Sequence, residues 1–209
     1  MLVVFDLDGT LIDSTRALLE SHKAAWKSVG VKCPPKEDIL SLTGLPLVEI
    51  MQKLGPEHDP VALAEVYSHA YVKSAHYECL FEGVSDLLAV PFRAAIATGK
   101  SQRGADRVVK QFGFENRFEV VLGGNSVSRP KPNPDLLFSI MEKTGTENIV
   151  MVGDTTYDLE MAHAAGVKGI GVSWGHHAPE VLQKWAPVVN TVKELGKMLS
   201  IWNKESVVD

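Results

Sequence analysis

The sequence predicts an α/β protein: a Rossmann-like parallel sheet with helices on both faces, into which an all-helical cap domain is inserted. Three observations carry that expectation. Short apolar runs at residues 2–5, 92–97, 120–122, 149–152 and 169–172 lack the alternation of half-exposed strands, as befits strands covered on both faces. From Phe81 onward, stretches of helical periodicity separate those runs, and such alternation implies right-handed crossovers and parallel pairing. Residues 14–80, by contrast, show helical spacing without a convincing strand. The expected division is an α/β core of residues 1–13 and 81–209 and a helical cap of residues 14–80.

In order, the run Leu2–Phe5 is the first strand, and it ends on Asp6-Leu7-Asp8-Gly9-Thr10. Gly9 predicts a turn there, which places both acids in the crevice beyond the strand's carboxyl end, where open α/β sheets bind ligands. Ser14, a good N-cap residue, precedes Leu18, Leu19, His22, Ala25, Trp26 and Val29 at helical spacing, with Gly30 as the stop. After Cys33-Pro34-Pro35 comes a short helix over residues 36–42. Thr43-Gly44-Leu45-Pro46 is a turn, then Leu47, Ile50, Met51 and Leu54 form a helix closed by Gly55-Pro56. Pro60 opens another, with Ala64, Tyr67, Tyr71 and Ala75 on one face.

In the core, Val84, Leu87 and Leu88 suggest a helix before the strand of residues 92–97, which runs into Thr98-Gly99-Lys100-Ser101. Ala105, Val108, Val109 and Phe112 face inward from the next helix. The strand of residues 120–122 leads to an irregular loop, 128–134, that carries Lys131, and then to a helix with Leu137, Ile140 and Met141. The strand of residues 149–152 runs into Gly153-Asp154-Thr155-Thr156-Tyr157-Asp158 and a helix through Met161 to Gly166. A strand at 169–172, an edge strand at Val188–Val189 and a helix near Lys193–Leu199 complete the chain.

Composition is that of an ordinary soluble domain, 45% hydrophobic and 22% charged. The net charge of −5, without long basic runs, predicts no nucleic-acid partner, and no apolar stretch is long enough to span a membrane. The N-terminus has no charged leader segment, so no signal peptide is expected. Cys33 and Cys79 lack partners at metal-ligand spacing, which predicts reduced thiols in a cytoplasmic protein. A monomer and a homodimer are equally compatible with the sequence.

A parallel sheet gathers the carboxyl ends of its strands at one edge, and there the sequence supplies Asp6, Asp8, Thr98, Lys131, Asp154 and Asp158. Two acids one residue apart repel unless a cation or a shared proton relieves them. A calcium loop fits poorly, because no glutamate closes it at the required spacing. Several carboxylates, one hydroxyl and one ammonium suit phosphoryl transfer through a covalent aspartyl phosphate. An all-oxygen acidic set suits Mg²⁺ rather than zinc. Each residue alone has a plainer reading. Thr98-Gly99 fits a strand-end turn, Lys131 a solvated loop lysine, Asp154 a helix cap and Asp158 a first-turn acid. All of them together, in this order at strand ends, are far less expected by accident.

These motifs resemble the haloacid dehalogenase-like hydrolase superfamily. Asp6-Leu7-Asp8-Gly9-Thr10 matches its first motif, Thr98 the second, Lys131 the third and Gly153–Asp158 the fourth, while the insertion after Asp13 resembles its helical cap of the first type. The superfamily's dehalogenases lack an acid at the position of Asp8, and its phosphonoacetaldehyde hydrolases have alanine there, so the resemblance implies a phosphomonoesterase or mutase. It implies that Asp6 is the nucleophile and that Asp8 protonates the leaving alkoxide, then activates water. Asp6, Asp154 and the backbone carbonyl of Asp8 would hold Mg²⁺. Thr98, Gly99 and Lys131 would hold the phosphoryl oxygens, and Thr10 and Asp158 would orient these groups without touching the metal. Thr43, Gly44 and Leu45 would form the cap turn that faces the substrate.

Gly153–Gly166, Ser173-Trp174-Gly175 and the cap are most similar to the phosphoglycolate phosphatase branch, although Gly99 stands where that branch often has asparagine. The expected activity is a Mg²⁺-dependent phosphatase acting on a small phosphorylated metabolite, with 2-phosphoglycolate the leading substrate. A phosphomutase, pyrophosphatase or nucleotidase on the same core is the alternative. A phospho-acceptor switch without turnover would need neither Asp8 nor a cap. His22, His69 and His76 are expected at surface or packing positions, and His176 and His177 in a loop near the site.

Overall fold

The structure, a computed structural model, describes residues 1–205. Its elements in chain order are β1 (Leu2–Phe5), β2 (Ile12–Asp13), α1 (Thr15–Ser28), α2 (Lys36–Ser41), α3 (Leu47–Leu54), α4 (Pro60–Ser74), β3 (Cys79–Leu80), α5 (Val84–Ala89) and β4 (Arg93–Thr98). There follow α6 (Gln102–Gln111), β5 (Val120–Gly123), α7 (Asp135–Thr144), β6 (Ile149–Gly153), α8 (Thr156–Ala164), β7 (Lys168–Val172), α9 (Pro179–Leu182), β8 (Val188–Val189) and α10 (Val192–Glu205).

Six strands form one sheet in the order β5-β4-β1-β6-β7-β8, and every pairing is parallel. Side chains alternate between its faces. Val3 and Phe5 of β1, with Ala94 and Ile96 of β4, meet α5, α6 and α10 on one side. Leu2, Val4, Ala95 and Ala97 meet α7 and α8 on the other. Both faces of β1 are thus covered by apolar side chains, which is why the strand reads as an unbroken hydrophobic run.

The insertion has a core of its own, in which Ala17, Trp26, Met51, Leu63, Ala64, Tyr67 and Tyr71 pack together across α1, α3 and α4. Two details differ from the sequence expectation. A strand lies within the last residues of the stretch read as purely helical: Cys79 and Leu80 pair antiparallel with Asp13 and Ile12, making a ribbon at the base of the cap. A two-residue strand is too short to show any period, so the sequence could not reveal it. Ser14 occupies the N-cap position of α1 but makes no side-chain cap bond; Asp13 Oδ1 accepts from the Thr15 amide at 3.0 Å instead. Among the described residues no helix is long and apolar enough to cross a membrane.

Candidate active site

The site forms where β1, β4 and β6 end together. After Phe5 the chain turns: Leu7 O accepts from the amides of Leu11 and Ile12, and Gly9 adopts φ +80°. A Cβ at Gly9 would lie 2.1 Å from Asp154 Oδ2, so only glycine lets this turn lie against the acid after β6. Asp6, Asp154 and Asp158 thereby come together, with one oxygen from each within 4.8 Å of the others, all buried.

Lys131 reaches this group from the loop before α7. Its Nζ lies 2.8 Å from Asp6 Oδ1 and 2.5 Å from Asp158 Oδ1. Burial works against its charge, but Asp158 and Asp6 outweigh that and raise its pKa. Asp6 is pushed up to about 7 by burial, with Asp158 and Asp154 adding to the rise against the pull of Lys131. Three buried carboxylates meet here, and the donors are all hard oxygens. Asp6 and Asp154 therefore fit a divalent cation such as Mg²⁺.

Asp154 is held by three contacts. Thr10 Oγ1 donates to Oδ1 at 3.0 Å, the His176 amide donates to Oδ2 at 2.8 Å, and His176 Nδ1 meets the same oxygen at 2.8 Å. Trp174 Nε1 in turn donates to the Thr10 carbonyl at 3.0 Å. Burial would raise the Asp154 pKa, yet the His176 contacts and Thr10 hold it below the usual carboxylate value. Burial opposes the charged form of His176 too, but Asp154 raises its pKa above the ordinary value. Asp158 has two tasks. Oδ1 takes Lys131, while Oδ2 accepts from the Thr155 amide and hydroxyl at 3.1 and 2.7 Å and closes a capping box on α8. The cap of that helix is Thr155, and Asp154 is left for the cluster.

Asp8 does not join the acidic group through its side chain. Its Oδ2 lies 2.9 Å from Lys100 Nζ, and its Oδ1 is buried without a hydrogen-bond partner. Thr98 is buried at the end of β4, its Oγ1 accepting from the Lys100 amide at 3.3 Å. Beside it, Gly99 has no space for a side chain: a Cβ there would lie 2.3 Å from the Gly44 carbonyl. The Thr43–Leu45 turn of the cap therefore rests directly on the Thr98 loop. Leu45 is buried, and the Thr43 hydroxyl is turned back to Ile39 O at 3.4 Å. A second cap contact comes from His177, whose Nδ1 accepts from the Thr156 amide at 3.1 Å. Its Nε2 then carries the proton and donates to Ser41 O at 3.0 Å. A cavity of about 400 Å³ opens beside His176 and His177, lined also by Lys36, Leu40 and Val181.

Sequence reasoning passed over Lys100, and it placed His176 in a loop near the site without its contact to Asp154. Lys100 directly follows Gly99 and has the look of any surface lysine. His176 lies 22 residues after Asp154, and only the parallel pairing of β6 with β7 brings them together. The other histidines lie apart from the cluster. His22 is buried against Tyr67, and His69 and His76 are exposed.

A family model described as "Haloacid dehalogenase-like hydrolase" matches residues 3–172. The chain is 30% identical to the tyrosine-protein kinase PtkA of Mycobacterium tuberculosis, over 96% of this chain and 72% of that protein. It is 31% identical to the probable phosphatase IndB of Dickeya dadantii, over 93% of this chain and 91% of that one. Among solved structures, a putative phosphoglycolate phosphatase from Lactobacillus delbrueckii subsp. bulgaricus superposes with a TM-score of 0.84. That match has 22% identity and covers 94% of this chain and 97% of the other, a likeness of fold.

Proposed function

The chain belongs to the haloacid dehalogenase-like hydrolase family, and from that premise we propose that it hydrolyses a small phosphomonoester through a phosphoryl group carried on Asp6. The observation that carries this reading is the division of labour between two carboxylates. Asp6 is buried against Lys131 within the acidic cluster, while Asp8 stands apart with Oδ1 free.

Asp6 attacks phosphorus as the ester bond breaks, and Asp8 Oδ1 gives its proton to the departing oxygen. Asp8 then takes a proton from the water that attacks the aspartyl phosphate, which restores both acids. Lys131 and the Thr98 hydroxyl bind the phosphoryl oxygens, Lys131 offsetting their charge, and the backbone at Gly99 lies beside them. Asp6, Asp154 and the Asp8 carbonyl would hold Mg²⁺, which when bound supplies positive charge to the phosphoryl group and to the crowded acids. Thr10 and His176 keep Asp154 aimed, and Asp158 keeps Lys131 aimed.

The cap, residues 14–80, selects the substrate through its Thr43–Leu45 turn. The close seat of that turn on Gly99 favours esters with small leaving groups, of which 2-phosphoglycolate, with glycolate leaving, is the leading case. A cytoplasmic location fits such a substrate. The likeness to a tyrosine-protein kinase supports a second outcome, in which the phosphoryl group passes from Asp6 to a tyrosine hydroxyl rather than to water. A panel of metabolite phosphates, pyrophosphate and nucleotides, read as phosphate release with Mg²⁺, tests the first. A labelled donor with tyrosine peptides tests the second. Absence of phosphate release from every member would refute the phosphatase reading.

A further inference from the structure

Lys100 joins the site to the cap. Its Nζ meets Asp8 Oδ2 at 2.9 Å, donates to the Tyr71 hydroxyl at 2.9 Å and lies 4.2 Å from the centroid of the Tyr71 ring. Tyr71 belongs to α4 of the cap. Its hydroxyl gives its one proton to Glu78 Oε1 at 2.6 Å, so it offers Lys100 only lone pairs. Glu78, whose side chain is fully buried, is neutralised from the core by Arg107, which donates to its two oxygens at 2.8 and 2.9 Å. Glu78 Oε1 is 3.9 Å from Lys100, a longer contact than that with Asp8. The direction of every proton in the chain Arg107–Glu78–Tyr71–Lys100–Asp8 is thus set, and it ends on one oxygen of Asp8.

We propose that Lys100 is a positioning residue for Asp8, aimed by Tyr71 of the cap, and that it selects Oδ1 as the oxygen that exchanges the proton. By occupying Oδ2, Lys100 leaves Oδ1 as the unpartnered atom. Oδ1 gives a proton to the leaving oxygen as the P–O bond breaks and receives one from the attacking water, while Lys100 keeps its own protons throughout. The cap then shapes the chemical step as well as the choice of substrate, because Tyr71 is the cap's share of the chain. This inference rests on the reading of Asp8 as acid and base.

The test compares wild type, Lys100→Met, Lys100→Arg and Tyr71→Phe on two esters in Mg²⁺. One is p-nitrophenyl phosphate, whose leaving group needs little protonation; the other is the best alkyl ester of the substrate panel. In Lys100→Met, kcat on the alkyl ester should fall about 30-fold further than kcat on p-nitrophenyl phosphate, within the range of a misplaced general acid. Tyr71→Phe deletes one buried oxygen and keeps the ring, so it serves even if Lys100→Met fails to fold. It should show the same selectivity at about fivefold. Lys100→Arg, which still pairs with a carboxylate, should recover part of the ratio. Equal losses on both esters, or losses confined to KM, would overturn the positioning role and leave the phosphatase reading standing. A wild type that hydrolyses neither ester would overturn both.

Discussion

Asp6 and Asp8 lie two residues apart, yet they inhabit different surroundings, and mutation should separate them. Asp6→Asn removes the proposed nucleophile, so neither a burst nor turnover should survive on any ester. Asp8→Asn keeps the nucleophile, and the expected loss is about 10²- to 10⁴-fold on an alkyl ester and much smaller on p-nitrophenyl phosphate. Loss of every substrate to the same degree in Asp8→Asn would contradict that assignment. The acidic cluster makes a further prediction. Three buried carboxylates crowd together and Lys131 pairs with only two of them, Asp6 and Asp158, so chelation with EDTA should abolish turnover and Mg²⁺ should restore it. Calcium should restore it poorly, because its longer and looser coordination misplaces the phosphoryl group. Titration calorimetry should also record Mg²⁺ binding that weakens in Thr10→Val, since Thr10 holds Asp154 Oδ1. At this scale the candidate site was legible in the segments that follow strands, where Asp6, Asp8, Thr98, Lys131, Asp154 and Asp158 could be picked out. Lys100 could not, and His176 could be placed only in a loop near the site. Their roles come from contacts between distant segments, and neither carries a local pattern.

Helix α1 holds a histidine whose setting has a measurable cost. Burial lowers the pKa of His22 from 6.5 to about 4, and its Nδ1 has no partner beside Tyr67. Between those two pH values the unfolded chain holds the proton and the folded chain does not. Stability therefore rises with pH through the window, is lost as pH falls, and owes nothing to this group above about pH 6.5. Urea unfolding at pH 7.5 and pH 5 should show a loss about 2 kcal/mol larger for wild type than for His22→Gln. Equal losses would mean that His22 accepts a proton in the folded protein. The turn after α2 allows a second test. In Gly99→Ala the new methyl group meets the backbone carbonyl of Gly44 and not a movable side chain. The turn must lift, and kcat/KM for small esters should fall at least about tenfold, some 1.4 kcal/mol, while circular dichroism stays native. Leu45→Ala, in the same turn, should change the ranking of esters in the panel. Elements of this length were mostly readable, because six or more residues show their period. The exceptions were short: β2, β3, and α9 at Pro179–Leu182, lie below the length at which a period can be counted. Helix α10 runs from Val192 to Glu205, beyond the expected Lys193–Leu199, since no glycine or proline stops it there.

Seen whole, the molecule is a parallel sheet whose central strand comes first in the chain and is then left by a detour through the cap. That arrangement was legible because β1, β4 and β6 are apolar on both faces; the contact of Gly44 with Gly99 was not, since it joins two segments that each look like ordinary turns. The topology also bears on the order in which the protein assembles. Leu2 pairs with Arg93 on one side and Ile149 on the other, so β1 has no sheet to join until most of the chain is available. Helices α1 and α4, by contrast, find each other within residues 15–74 and share a hydrophobic cluster that needs nothing from the sheet. Closing the shorter loop costs less chain entropy, and contacts nearer in sequence form sooner. During refolding from urea, pulsed hydrogen exchange should find the amides of α1 and α4 protected before those of β1. On the ribosome, the same asymmetry would leave the strand that leads to Asp6 waiting, unpaired, beside a helical insertion that has already taken shape.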